Sequence, residues 1–415
     1  LSYNGTSMPH NAIMIYNGTG KGEVIILETK FPWGVYVPPI PGGSGGGSGS
    51  TTAPTPSGPV WSNCGWGYRQ QLTVTTGASG VSSNYSASVT LDHAALVGAG
   101  KSLANGNDLR VMYWNGGSWT ELSRALDPLS SWNNASTKIW FPLATAIPAS
   151  SLDNSYYLYY GDAGAGAPPA DWANVFRIGD EFSKSGTSSI TETGGELFID
   201  MGTAETDSGI VITANPLPAS KQFIIRHKTK IVSLGGTSNP ELKGLGIYQL
   251  ATQPGVTTSA LENPRRRITM YHRFDGGSWI NYNNSAAVDY SWVGGSWQSG
   301  YSSWGPLSLD TYYIYELVSD GTSWYTRVSD ASSTVLTTTT PITWANTQNT
   351  GTSWWFYWGD PYTGYYYGDQ KSDWVYLRDY VNPEPTSSLG TEQAAASFCT
   401  PTPTPTPTPT LGFPW

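Results

Sequence analysis

"RVMYWNGGSWTEL", residues 110–122, decides the fold. Two short runs rich in aromatic and β-branched residues flank Asn115-Gly116-Gly117-Ser118, and glycine supplies cheaply the φ > 0 positions that hairpin loops require. The stretch therefore predicts strand, turn and returning strand, with Trp119 opening the return. Close copies stand at 275–279 (DGGSW), 293–297 (VGGSW), 320–324 (DGTSW) and 350–354 (TGTSW). Trp279, Trp297, Trp324 and Trp354 are expected, like Trp119, to cap the ends of sandwich cores. A repeated row of sugar platforms is the competing reading.

Outward from that hairpin the same grammar continues. Strands of five to eight residues, read within stretches such as "RQQLTVTT" (69–76), "KIWFPL" (138–143), "QFIIRHKTKIV" (222–232), "TYYIYELVSD" (311–320) and "DWVYLRDY" (373–380), alternate apolar and polar positions between turn residues. Helical periodicity is nearly absent. This pattern predicts an all-β protein built from two antiparallel sandwiches.

Composition sorts the chain into zones: an apolar β arm over 1–41, a Gly/Ser/Pro linker over 42–60, sandwiches over 61–176 and 177–393, and a Thr-Pro tail over 394–415. The tail repeat at 400–410 is expected to be extended polyproline II, and Thr402, Thr404, Thr406 and Thr408 are candidate O-glycosylation positions. Only 12% of residues are charged, and 21 basic against 30 acidic side chains give −9. Nucleic acid is excluded as a partner, because phosphate binding needs clustered Lys and Arg. The one basic run, Arg265-Arg266-Arg267, predicts the charged start of an edge strand.

No apolar run reaches the ~20 residues of a membrane span. The chain begins with Leu1, and removal of an export signal is the expected cause, so a secreted or cell-surface location is expected. Asn4, Asn17, Asn84, Asn134 and Asn283 lie in N-glycosylation sequons. Cys64 and Cys399 stand near the two ends of the β region; an intrachain disulfide would clasp it, with free thiols or bridges between subunits as the other readings.

The stretch 66–176 resembles a domain of unknown function of bacterial and archaeal surface proteins, the domain-of-unknown-function-2341 family. The resemblance is carried by "WGYRQQLTVT" (66–75), "NDLRVMYW" (107–114), "KIWFPLATAIPAS" (138–150) and "YYLYYGDAGAGAPPADWANVF" (156–176). In that family a concanavalin A-like or laminin G-like jelly roll often follows, and 177–393 resembles one, opening on "IGDEF" and closing on "SDWVYLRDYVNPEPTSSLGTEQ". The resemblance implies a secreted pair of β-sandwiches and supplies no activity.

Catalysis finds no motif. His10, His93, His227 and His272 are scattered, and Asp180, Glu181, Glu192, Glu196 and Asp200 match no hydrolase pattern, so the chain is read as a non-enzyme without cofactor or metal ligands. A structural calcium is compatible with a jelly roll, although no residue set identifies one.

Two features point to binding. Ala12, Ile13, Met14, Ile15 and Tyr16, then Val24, Ile25, Ile26 and Leu27, form short apolar runs that cannot be stable alone in water. The 17 residues 42–58 reach at most about 55–60 Å, far enough for docking in cis or on the next subunit. Trp292, Trp297, Tyr301 and Trp304 crowd a Gly/Ser loop and are candidate carbohydrate contacts. The first expectation is a self-assembling extracellular filament or sheath joined by strand donation from the arm. The second is a carbohydrate-binding adhesin, and the third a glycan-degrading enzyme fragment.

Overall fold

The computed structural model describes residues 59–168, 172–177, 308–338 and 369–395, the stretches 216–218, 220–233 and 341–343, and the strands named below. Nearly every ordered element is a β-strand, in antiparallel sheets.

Residues 1–56 form one compact unit and 57–415 another. In the first, β1 (Ser2–Tyr3) pairs with β2 (Thr6–Ser7), and β3 (Ala12–Tyr16) pairs with β4 (Gly22–Ile26) through five residue pairs from Ala12–Ile26 to Tyr16–Gly22.

The second unit opens with β5 (Tyr68–Thr75), β6 (Ser86–Leu91), α1 (His93–Gly98), β7 (Arg110–Trp114), β8 (Trp119–Leu122), β9 (Ala125–Leu126), β10 (Thr137–Pro142), β11 (Leu152–Tyr160) and α2 (Trp172–Val175). The short helix α1 is one that the strand-and-turn reading of the sequence passed over. Asp92 caps it by accepting the Ala95 N–H at 2.8 Å. The jelly-roll-like part follows with β12 (Phe182–Gly186), β13 (Ser189–Thr193), β14 (Glu196–Asp200), β15 (Gly209–Thr213), β16 (Gln222–Ile231), β17 (Glu241–Leu250) and β18 (Arg266–Arg273). It continues with β19 (Ser285–Val288), β20 (Ser291–Val293), β21 (Ser296–Gln298), β22 (Tyr301–Ser303), β23 (Tyr313–Asp320), β24 (Ser323–Asp330), β25 (Val335–Thr338), β26 (Ile342–Thr343), β27 (Ser353–Asp360) and β28 (Gln370–Asp379). The last strand is β29 (Thr386–Ala394).

The first sandwich packs the sheet β29-β5-β11-β7-β8 on the sheet β6-β10-β9. Leu72, Val74, Val111, Tyr156 and Leu158 from one meet Val89, Leu91, Ile139 and Phe141 from the other, all buried. The second sandwich packs β12-β15-β27-β17-β18 on the eight-stranded sheet β13-β14-β28-β16-β23-β24-β25, in which β26 pairs with β24. Its core joins Val211, Phe356 and Trp358 to Phe223, Ile225, Tyr315, Leu317, Trp324 and Leu377. The basic run behaves as its charges predict: β18 is the terminal strand of its sheet.

One strand changes the connectivity read from the sequence. β29, which the 177–393 boundary places with the jelly roll, pairs with β5 of the first sandwich from Thr386–Thr75 to Ala394–Tyr68. A strand's hydrogen-bonding edge leaves no mark in its own sequence, and β5 had an edge free. The second sandwich is therefore inserted between β11 and β29 of the first.

The sandwiches meet back to back. Ile139 and Phe141 point into the first core, so Lys138 and Trp140 face outward by strand alternation; Val375 and Leu377 point into the second core, so Trp374, Tyr376 and Arg378 face outward likewise. Between these faces lie Ala125, Trp140, Val175, Phe176 and Tyr376, all buried. The connector is bonded to both sides: Ser86 Oγ donates to Val175 O at 2.5 Å, and the Arg177 N–H donates to Leu377 O at 2.8 Å.

Candidate functional site

The turn reading holds where the residues are described. At 115–118 the Asn115 side chain accepts the N–H groups of Gly117 (2.9 Å) and Ser118 (2.7 Å), Gly116 takes φ +96°, and Trp114 and Trp119 face each other across the hairpin. At 320–323 Asp320 Oδ1 accepts from Thr322 and Ser323 in the same way. Trp324, with which that turn ends, is buried in the second core. β20 and β21, on either side of 294–295, pair antiparallel. Ser353 opens β27, beside Trp354 of the fifth copy, while Trp279 lies outside the described residues.

Trp119 departs from the expectation. It is half-buried on the outer face of the five-stranded sheet, not at the end of the core. There it joins an aromatic cage around Arg69, whose guanidinium lies 4.4 Å from the Trp61 ring, 4.9 Å from Tyr157 and 5.9 Å from Trp119. Arg69 donates to Tyr159 Oη (2.9 Å), Gln393 Oε1 (2.7 Å) and Pro59 O (3.0 Å). Trp119 Nε1 donates to Val60 O at 2.9 Å, and the Ser62 N–H to Tyr159 Oη. Residues 59–62 are thereby strapped across that face. Cation–π contacts of this kind contribute about 0.5–2 kcal/mol each.

The candidate sugar contacts fall on two small hairpins. Trp292 and Trp297 are cross-strand partners in β20–β21, Tyr301 pairs with Val288 in β22–β19, and Trp304 lies outside the described residues. β19 and β20 neighbour β18, the edge of the five-stranded sheet. On the arm, Ala12 to Tyr16 form β3 and Val24 to Ile26 lie in β4, and among the described residues no third strand joins this pair; Leu27 lies outside the described residues. Asn84 and Asn134 are exposed, while Asn4, Asn17, Asn283 and Thr402 to Thr408 lie outside. Cys64 is disulfide-bonded, and Cys399 is the chain's other cysteine.

One constellation has the residue types of a hydrolytic triad and the wrong proton order. His93 Nδ1 accepts the Asn133 N–H at 2.9 Å, so the ring proton sits on Nε2 and is donated to Ser102 Oγ (3.0 Å). Ser102 in turn donates to Asp108 Oδ1 at 2.8 Å, and Asp108 also accepts the N–H groups of Leu103 and Gly161. A triad base must be able to receive the serine proton. Here the imidazole nitrogen beside the serine already carries one. His93 is fully buried, and desolvation lowers its pKa. The relay ties a helix to two loops.

His227 is a second buried imidazole, 2.6 Å from Ser372 Oγ and edge-on to Trp358 in the second core. Desolvation pushes its pKa down to about 3. Glu196 accepts from the Tyr312 hydroxyl and pairs with Lys371 at 3.2 Å, and Glu192 is exposed. Asp180 and Glu181 lie outside the described residues. Among the described residues no three His, Cys, Asp or Glu side chains gather to hold a metal, and no helix is long and apolar enough to cross a membrane.

A further aromatic assembly lies on the seam between the sandwiches and was missed by motif reasoning, since its rings come from distant segments. Phe176, Tyr376 and Trp374 stack in near-parallel order, with centroid separations of 4.7 and 5.8 Å and interplanar angles of 18° and 14°. Trp172 leans on Phe176 at 5.1 Å. Behind them Trp140 donates to Asp127 Oδ2 at 2.8 Å and lies between Lys138 (4.2 Å) and Arg378 (4.8 Å). Such an array can bind flat apolar surfaces; it carries no nucleophile or acid–base pair.

No family model matches the chain, and no curated relative does, so the resemblance read at 66–176 has no counterpart there. Solved structures similar to it include a protein of unknown function from Shewanella oneidensis MR-1, 12% identical over 50% of this chain and 82% of that one, with a TM-score of 0.31. A carbohydrate esterase of the Shiga toxin-encoding bacteriophage phi24B is 11% identical over 48% of this chain and 90% of its own, with a TM-score of 0.32. The Lotus tetragonolobus seed lectin is 11% identical over 52% of this chain and 96% of its own, with a TM-score of 0.32.

Proposed function

We propose that the chain is a displayed, carbohydrate-binding surface module of the adhesin type. The observation that supports it is the placement of its ends. Pro59 is bonded to Arg69, Arg69 faces Gln393 on β29, and the Ala395 N–H donates to Gly67 O at 2.9 Å. The first and last described residues of the body, Pro59 and Ala395, thus lie beside the same few residues. The strap of residues 59–62 covers the outer face of the sheet that holds β5, whereas the second sandwich packs on the outer face of the opposite, three-stranded sheet. Ends of the body gathered on one face, with a sandwich on the other, suit a module presented away from an anchor. A location at the cell surface follows from this reading, as does sugar on the Thr-Pro stalk. Low charge and abundant aromatic rings favour neutral glycan over anionic polymer.

The purified chain should be retarded in native gels cast with at least one of mannan, galactan or β-1,4-glucan. Free migration in all three would defeat the reading.

A second reading, the filament joined by the arm, is favoured by the β3–β4 hairpin. Two strands alone are marginally stable in water, so their apolar residues need a docking surface. Deleting residues 1–41 should abolish any polymer seen by negative-stain microscopy; polymer that survives the deletion excludes strand donation.

A further inference from the structure

We propose that Trp374 is the platform of a saccharide subsite on the seam between the two sandwiches, an inference that rests on the glycan-binding reading above. Trp374 ends the parallel stack begun by Phe176 and Tyr376, and whereas those two rings are buried, Trp374 is only half-buried. Its indole N–H is buried without a partner. The position therefore gains nothing from the hydrogen bond a tryptophan offers, and what it keeps is the largest available π face.

Polar groups stand beside that face. Lys228 is the register neighbour of Trp374 on β16, and its Nζ bonds Asp373 Oδ2 at 2.6 Å while lying 5.0 Å from the Tyr312 ring. Asp373 keeps 37% of its side chain accessible. Tyr312, half-buried, forms the far side.

The charges around this shelf identify the ligand class. Lys228 pairs with Asp373, Lys230 with Asp310 and Lys371 with Glu196, so three cations meet three anions and no net field remains for an anionic ligand. A half-buried ring face, flanked by a carboxylate and an ammonium that can trade their mutual contact for hydroxyl groups, matches a neutral pyranose. Its C–H face lies on the indole, and its hydroxyls reach Asp373 and Lys228. Sites at the junction of two domains, with a mostly apolar floor and a few placed polar groups, are where small ligands commonly bind.

The test uses the full chain in native gels cast with mannan, galactan or β-1,4-glucan, comparing wild type with Trp374→Ala, Trp374→Phe, Asp373→Asn and Trp119→Ala. The expected result is a loss of affinity of roughly tenfold or more for Trp374→Ala, a smaller loss for Trp374→Phe and Asp373→Asn, and none for Trp119→Ala, whose ring lies in the Arg69 cage away from the seam. Trp374→Phe and Asp373→Asn leave the stack in place, so they decide the matter if Trp374→Ala misfolds. Wild-type binding that all three seam variants retain overturns the subsite and leaves the glycan reading standing. Wild type that binds none of the three polysaccharides overturns both. A change in oligomeric state on light scattering for Trp374→Ala, with glycan binding unchanged, would assign the ring to a contact between copies and overturn the subsite.

Discussion

Two tryptophans that end copies of the same five-residue motif have different fates. Trp324 is 1% exposed in the second core, whereas Trp119 is half-buried over the Arg69 cage. Trp324→Ala should therefore cost about 3–5 kcal/mol of stability and Trp119→Ala clearly less, measured by denaturant unfolding. Two buried histidines contribute to the acid response. His227 has an ordinary pKa of 6.5 and a folded one of about 3, because its site offers no compensation for desolvation. The unfolded chain thus binds a proton that the folded chain refuses. Its contribution is complete above pH 6.5 and declines as the pH falls toward 3, by roughly 1.4 kcal/mol per unit. His93, also lowered, acts in the same direction. His227→Gln should flatten the fall of the unfolding midpoint between pH 6.5 and 4; an unchanged slope would remove His227 as its source.

At the scale of elements, β29 matters most. It adds the outer strand beside β5 and brings Glu392, which accepts from Tyr160 Oη at 2.7 Å and pairs with Lys101 at 2.5 Å. Ending the chain after Pro385 should expose the edge of β5, lower the melting temperature and promote aggregation, as unpaired edges do. A truncated chain that melts like the full one would show that β29 is dispensable. The turn between α1 and β7 is similarly constrained: Gly106 has φ +66°, and a Cβ there would stand 2.4 Å from the Trp132 ring. Gly106→Ala should destabilise the first sandwich through both strain and overlap.

For the whole molecule, insertion of one sandwich into the other predicts that they unfold together. The connector's bonds to both faces and the buried seam of Trp140, Phe176 and Tyr376 should couple their unfolding. Tyr376→Ala should lower the stability of both sandwiches together, seen as one shifted calorimetric transition. A split into two transitions would mean that the seam is weak. Spin labels on Val60→Cys and Thr391→Cys, both exposed, should give one short, narrow distance if linker and tail leave side by side.

The sequence by itself determined the class of the fold, because alternation and Gly-rich turns are local physics: the register of Trp114 on Trp119 and the edge position of β18 were legible from "NGGS" and from three arginines. It also raised the arm and the aromatic loop as candidate contact regions. It did not reveal that β29 returns to β5, that Trp119 faces outward over Arg69, or that Trp374, Tyr376 and Phe176 stack across a domain seam. Those depend on which edge remains unpaired and which faces meet after both cores have formed. Such choices are made between residues up to 324 positions apart, as for Arg69 and Gln393, and only the packed chain brings them within reach.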